Sequence, residues 1–304
     1  MIKLGWLGAK EGWYFRDLQR AATLNHWPKP IEIQPLGFGD LQVAYLGGAS
    51  SSFLDRPCEL HKSQPQPDQC DALIVRTMPL GSLEQTVFRM NALHVAQSNG
   101  MRVVNPPRSL EIAIDKWLTL ETVRQSGLAI PNTICCQTRD QAMQAWEVLG
   151  RRCVVKPIFG GEGRGIILVT DSDMAWRVFS TLEQLRAVIY CQEFLEGPGY
   201  DLRLLVIGDA LFCVQRSGNG DWRTNVARGG SAKAFEPTFE QMQIAFKATR
   251  AVGAWMAGVD LLSDASGRDV VLEVNAVPGW KATAQALEVD IARVLLEKLL
   301  FSPA

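Results

Sequence analysis

The sequence predicts an α/β protein of two or three lobes, and three observations carry that expectation. In the first third, an apolar strand, a capped helix and a second apolar strand follow one another, the order of a parallel β-α-β unit. Strand and helix patterns then alternate from residue 109 to the C terminus. At 304 residues the chain exceeds the size at which one hydrophobic core usually stays single.

Taken in order, IKLGWLG at 2–8 is a short strand. Residues 50–69, SSSFLDRPCELHKSQPQPDQ, are polar and proline-rich without a period, which predicts a surface excursion. CDALIVRT at 70–77 is an apolar strand ending at Arg76. Ser82 and Gln85 form a capping box for a helix with Leu83, Val87, Met90 and Leu93 on its buried face, closed by Gly100. MRVVN is a strand stopped by Pro106 and Pro107, so a first α/β domain is expected over 1–108. One helical segment then runs from Ser109 through DKWLTLETVRQSG to Gly127. A second unit at 109–190 and a third at 191–304 complete the expected division.

Composition narrows the function. Hydrophobic residues make up 47% and charged residues 21%, as in ordinary globular chains. A net charge of -1 gives no electrostatic footprint for nucleic acid or an anionic membrane. No stretch reaches the roughly 18–20 apolar residues of a bilayer span, and MIKLGWLGAKEGW lacks the apolar centre of a signal peptide. A cytoplasmic protein is expected. Seven cysteines without a C-x-x-C pair argue against a disulfide framework, and Cys153, Cys191 and Cys213 read as small buried residues. His26, His61 and His94 are too scattered for a zinc site or a histidine-based nucleophile.

Two stretches carry chemistry. CVVKPIFGGEGRGIILV at 153–169 puts Lys156 on an apolar strand, on the same face as Val154, and follows it with Gly160, Gly161, Gly163 and Gly165. A strand follows the glycines, whereas the G-x-x-x-x-G-K-[ST] and G-x-G-x-x-G motifs both open a helix. Neither H-R-D nor D-F-G occurs, which excludes a protein kinase. Two readings remain: a plain hairpin whose lysine reaches water, or a bare loop whose amides fold over phosphates.

The second stretch, AGVDLLSDASGRDVVLEVNAVPG at 257–279, predicts a hairpin turning at Ser266-Gly267. That register opposes Asp260 to Glu273, two like charges that call for a cation between them. Asn275 lies on the same face as Glu273, giving three hard oxygen donors suited to magnesium or manganese. A protonated acid pair is the alternative.

In order, DKW (115–117), VVKP with its glycine loop, QEFLEGPGYDLR (192–203), GDWRTNVARGG (220–230), GVDLL (258–262) and LEVNAVPG (272–279) resemble the ATP-grasp superfamily, and within it the RimK-like α-L-glutamate ligases. The resemblance spans about two-thirds of the chain, from near Asn105 onward, and implies an ATP-grasp fold whose two lobes follow a small α/β domain. It implies that Lys116 and Lys156 contact the ATP phosphates beneath the glycine loop. Gln192, Glu193, Phe194 and Leu195 would form the adenine hinge. Asp201 would face the ribose and phosphates, although a hairpin turning at Gly208-Asp209 opposes it to Arg216 and offers an ion pair instead. Asp260, Glu273 and Asn275 would hold magnesium, two ions in the family. Arg203, Arg223, Asn225 and Arg228 would hold the reacting carboxylate and its oxyanion.

The implied reaction is amide formation through an acyl phosphate, joining L-glutamate or a similar amino acid to a small-molecule acceptor. The GW-rich N terminus and VRTMPLGSLEQ resemble ligases found with tetrahydromethanopterin and methylofuran biosynthesis. Glu196 stands where relatives often carry lysine after the hinge. Residues 12–16 and Arg76 are candidate walls for a planar or anionic acceptor. Two other classes stay open, an ATP-grasp kinase of a small alcohol and a nucleotide-binding regulator without chemistry, and so does a homo-oligomer.

Overall fold

Four parallel strands, β1 (Ile2–Leu7), β2 (Ile31–Leu36), β3 (Ala72–Val75) and β4 (Arg102–Val104), form the first sheet in the order β2-β1-β3-β4. The computed structural model describes residues 1–24, 26–43, 69–161, 163–218, 222, 224 and 229–301; most of the 50–69 excursion lies outside them. Helices α1 (Trp13–Ala22) and α2 (Leu83–Ser98) cross over on opposite faces of this sheet, α1 against Leu4 and Trp6, α2 against Leu73 and Val75. Sequence reasoning missed α1 and β2. Pro35 argues against a strand, but β2 is an edge, where the absent N–H breaks no ladder.

The Ser82–Gln85 capping box forms as expected, each side chain accepting from the other's backbone N–H at 3.2 Å. The buried face is a correction: it carries Arg89, Ala92, Leu93 and Ala96, while Leu83 and Val87 are exposed. The alanines let the helix lie close to the sheet, and of the expected face Leu93 and the half-buried Met90 pack against this core. The helix expected to run from Ser109 is two helices, α3 (Pro107–Ile114) and α4 (Lys116–Gln125). Asp115 ends the first and caps the second, its carboxylate accepting from the Leu118 N–H at 2.9 Å.

The second sheet is antiparallel, in the order β5-β8-β6-β7, from β5 (Thr133–Cys136), β6 (Cys153–Lys156), β7 (Ile167–Val169) and β8 (Ile189–Glu193). α5 (Arg139–Val148) and α6 (Ser172–Gln184) close a core of Trp146, Phe179, Val169 and the buried Cys153 and Cys191. The expected division at 190/191 falls inside β8, so the chain leaves this sheet after Glu193.

The third sheet, also antiparallel, has the order β11-β10-β9-β12-β13. Its strands are β9 (Tyr200–Ile207), β10 (Ala210–Ser217), β11 (Ser231–Ala234), β12 (Met256–Ser263) and β13 (Asp269–Asn275). Alternation along β9 sends Leu204 and Val206 to α7 (Phe239–Ala251), and Leu205 and Ile207 to α9 (Ile291–Phe301). The latter face shares one core with Leu4, Trp6 and Leu18 of the first unit. A short α8 (Lys281–Leu287) precedes α9.

The β9–β10 hairpin turns at Gly208-Asp209 in the expected register. The β12–β13 turn differs from expectation. Its loop is Ala265, Ser266 and Gly267, closed by Asp264 N–H donating to Arg268 O at 2.9 Å, with Gly267 at φ 82°, the three-residue form that needs a left-handed residue. A register shift beyond Leu261 then leaves Leu272 as a bulge. The two deviations cancel, and Asp260 does oppose Glu273.

Asn105 joins the first sheet to the third. Fully buried, it accepts from the Trp255 and Met256 N–H groups at 2.8 Å each and donates to the Met256 and Ala276 carbonyls. Asn105→Ala strands four buried backbone groups and is expected to cost about 3–5 kcal/mol. Thermal unfolding should show a fall of roughly 10 °C. Among the described residues, no helix is long and apolar enough to cross a membrane.

Candidate active site

A cavity of about 420 Å³ opens where the second and third sheets meet. β6 lends it Val154 and Lys156, β8 lends Gln192 and Glu193, and the stretch after β8 lends Phe194, Leu195 and Glu196. Asp201, Arg216, Asp260 and Glu273 enter from β9, β10, β12 and β13. The lining divides by chemistry. Phe194 meets Trp222 edge-on at 5.6 Å and is covered by Arg152 at 4.1 Å, which in turn pairs with Glu196 at 2.6 Å. The charged Lys156, Asp201, Arg216, Asp260 and Glu273 share the rest of the lining with apolar residues such as Val154, Ile166, Leu262 and Leu272.

Lys156 ends β6 with its side chain in the cavity and donates to Gln192 Oε1 at 2.6 Å. Burial lowers its pKa to about 8, opposed by the negative charges of Glu273 and Asp260 and reinforced by Lys116. The cation is therefore held without an ion-pair partner among the described residues. Gln192 is itself fixed, its amide donating to Tyr190 Oη and Thr133 Oγ1 at 3.0 and 3.2 Å.

Two arginines and two aspartates form a buried chain behind Lys156. Arg216 grips Asp201 with two bonds of 2.7 Å and reaches Asp260 at 2.9 Å, and Arg203 takes Asp260 from the other side at 3.0 Å. Burial opposes the charge on Arg216, but Asp260 and Asp201 outweigh it and bind its proton more firmly. The ion-pair alternative for Asp201 is thus realised, and Thr224 donates to the same carboxylate at 2.5 Å. Arg203 is committed to Asp260 and does not line the cavity, contrary to its expected place on a substrate carboxylate.

Glu273 is different: it faces the cavity, half-buried, with no hydrogen bond or salt bridge among the described residues. Asn275 lies two residues on and opposite Gly258, its Oδ1 accepting from Val277 N–H at 2.8 Å. No cluster of three or more Asp, Glu, His or Cys able to hold a metal occurs among the described residues. Asn275 does not line the cavity and its Oδ1 is engaged, so the oxygen donors that face the cavity are the two carboxylates, of which Glu273 is unpaired among the described residues. That fits magnesium, which keeps waters and takes phosphate oxygens for the rest of its shell.

Several expected residues stand apart from the cavity. Gly160, Gly161, Gly163 and Gly165 do not line it, although Gly160, Gly163 and Gly165 take positive φ, and nothing lies within 4 Å of a Cβ placed on Gly160 or Gly161. Lys116 is tied to this loop, Nζ donating to Gly160 O at 2.5 Å and its backbone N–H to Ile158 O at 3.2 Å. Glu193 accepts from Asn132 N–H and Nδ2 at 2.7 and 2.8 Å, so the protein already supplies the partner that adenine was expected to give it. Arg223, Asn225 and Arg228 lie outside the described residues. Phe15 is core and Arg16 is exposed, so neither walls an acceptor site.

Sequence reasoning missed Arg152, held Trp222 and Thr224 only inside the GDWRTNVARGG motif without a role of their own, and knew Arg216 only as the residue opposite Asp201. The decisive pairing, Asp260 with Arg203 across β9 and β12, joins strands about fifty residues apart and has no local signal.

The RimK-like ATP-grasp domain model matches residues 113–299. Tetrahydromethanopterin:α-L-glutamate ligase of Methanosarcina acetivorans is 32% identical over 86% of this chain and 89% of its own. The ATP-grasp ligase PsnB, solved with a phosphomimetic variant of its minimal precursor, Mg and ADP, superposes with TM-score 0.72 over 99% of this chain and 98% of its own, at 18% identity. The macrocyclase MdnC of Microcystis aeruginosa, bound with precursor peptide MdnA, gives 0.73 over 99% and 100% at 15% identity. The chain belongs to the RimK-like ATP-grasp family, and by class it is an ATP-dependent carbon–nitrogen ligase.

Proposed function

We propose that this ligase joins L-glutamate, or a similar amino acid, to a carboxylate on a small-molecule or coenzyme-precursor acceptor in the cytoplasm, using ATP and magnesium or manganese. The observation that carries the reading is the unpaired Glu273 facing the same cavity as Asp260 and the ion-pair-free Lys156. An anionic nucleotide with its cation satisfies both at once. Similarity to the M. acetivorans enzyme supports glutamate as the amino acid. The chain then works as three units, 1–108, 109–190 and 191–304, with ATP between the second and third.

Phe194 and Trp222 offer the base an aromatic wall, and Gln192 and Leu195 line the same end. Lys156, with Lys116 and the glycine loop above it, neutralises the phosphates. A carboxylate oxygen of the acceptor attacks the γ-phosphorus and ADP departs. The amine then attacks the acyl carbon, phosphate leaves with the C–O electron pair, and the spare amine proton passes to that phosphate. Such transfer asks mainly for alignment and charge neutralisation. Magnesium held by Asp260, Glu273 and Asn275, one ion or two, supplies part of that neutralisation. Arg223, Asn225 and Arg228 are assigned to the acyl oxyanion, with Arg203 acting through Asp260.

The test is incubation with ATP, magnesium, L-glutamate and panels of carboxylate coenzyme precursors and peptides, read by mass. A gain of one glutamyl residue on an acceptor is expected. A gain of phosphate alone would show a kinase, and no change in any acceptor would leave a nucleotide-binding regulator.

A further inference from the structure

The first sheet has a switch point of its own. β1 and β3 are neighbours whose crossovers depart to opposite sides, so the chain after Leu7 and after Val75 leaves from a topological switch point, the place where α/β sheets open a crevice at the carboxyl ends of the strands. Arg76 stands in it. Its guanidinium lies 4.9 Å from the ring centroids of both Tyr14 and Trp280, and Nη1 donates to Pro278 O at 2.7 Å. No carboxylate pairs with it among the described residues, and burial lowers its pKa to about 10, which still leaves it charged at neutral pH. Nε and Nη2 have no hydrogen-bond partner among the described residues and are not sealed from solvent. Half of a rigid hydrogen-bonding fork is therefore uncommitted.

α1 begins in the same crevice. Gly12 caps it without a side chain, and its first turn holds no acid, so its leading N–H groups and dipole also await an anion. Lys281 adds a second cation, 5.6 Å over the Trp13 ring. Contacts link Arg76 to the ligase centre in steps. Arg76 bonds the Pro278 carbonyl, the Pro278 Cβ lies 3.0 Å from where a side chain on Gly258 would begin, and Arg203, which shares that point, pairs with Asp260.

We propose that this crevice binds the amine-bearing amino acid by its free carboxylate, received by Arg76 and the N terminus of α1. The inference rests on the ligase reading above. A carboxylate awaiting phosphorylation belongs beside Lys156, Asp260 and Glu273, whereas Arg76 does not line that cavity and is joined to it through Pro278 and Arg203. The amine substrate keeps its carboxylate throughout the reaction and needs a standing counter-ion apart from the phosphoryl-transfer groups.

The experiment titrates the full-length protein with L-glutamate and with n-butylamine by saturation-transfer NMR in the presence of a magnesium-bound non-hydrolysable ATP analogue. Fluorescent mant-ATP binding is followed in parallel. L-Glutamate should bind the native protein and n-butylamine should not. Arg76→Gln should weaken L-glutamate at least tenfold, Arg76→Lys less, with mant-ATP affinity unchanged. Gly12→Asp gives a second arm: φ of -75° suits any side chain, the Ala9 carbonyl 3.2 Å from the new Cβ has to give slightly, and the new carboxylate caps α1 while occupying the anion's place. It should also weaken L-glutamate at least tenfold, with thermal stability equal or higher; a purely structural Arg76 would not respond to it. Undiminished L-glutamate binding in Arg76→Gln or Gly12→Asp overturns the proposal. So does a native protein that takes mant-ATP but not L-glutamate. Failure to take mant-ATP overturns the ligase reading and this inference together.

Discussion

Lys156→Ala is expected to lower ADP formation roughly 10²–10³-fold while leaving the fold intact, measured by coupled ADP release and circular dichroism. The side chain makes one hydrogen bond, to Gln192, and no ion pair, so its removal breaks little. Its ammonium is the cation that β6 delivers to the cavity. Because burial sets the pKa at about 8, the ligand-free protein loses this charge as pH rises through 8, and nucleotide affinity should fall over the same range. Bound phosphates raise the pKa again, so calorimetry in buffers of different ionisation heat should detect proton uptake on binding at pH 8.5, absent in Lys156→Ala. The sign for folding is opposite to that for binding. A lysine depressed by folding binds fewer protons in the folded state, so its contribution to stability grows as pH rises from about 8 toward the ordinary lysine value. Normal turnover in Lys156→Ala would remove it from the mechanism.

Glu273→Gln and Asp260→Asn should separate chemistry from stability. Both are expected to abolish ADP formation. Asp260 neutralises Arg203 and Arg216 in a buried chain, and removing its charge leaves two guanidinium groups under-compensated at a cost of about 3–5 kcal/mol. Glu273 makes no hydrogen bond or salt bridge among the described residues, and it opposes Asp260 directly. Its neutralisation relieves a like-charge contact and should leave the melting temperature unchanged or slightly higher. Differential scanning calorimetry beside the ADP assay reads both. Equal destabilisation by the two variants, or turnover in Glu273→Gln, would sink the assignment.

Local patterns in the sequence carried the hairpins and the acid pair. Gly208-Asp209 fixes β9 against β10, and the residue types at 260 and 273 demand a common partner whatever the turn between them. The turn itself was misread, because a three-residue loop and a bulge at Leu272 cannot be told from a two-residue turn by counting. The edge strand containing Pro35 was not identified and the helix break at Asp115 was run through; an edge proline and a capping aspartate take their meaning from position in the fold, which average residue preferences do not report. The ion-pair chain was invisible for another reason. It depends on β12 lying beside β9, a long-range pairing that no local pattern reports.

The interior of the small lobe, around Trp146, Phe179 and Cys153, draws no residue from either neighbour. Leu4, Trp6 and Leu18, by contrast, are welded to Leu205, Ile207 and Met256, with Asn105 bolting the seam. The carboxylates of β12 and β13 and Arg76 thus stand on one fused body, whereas β6 and β7 belong to a lobe with an interior of its own, tied to that body through Lys116 at the start of α4.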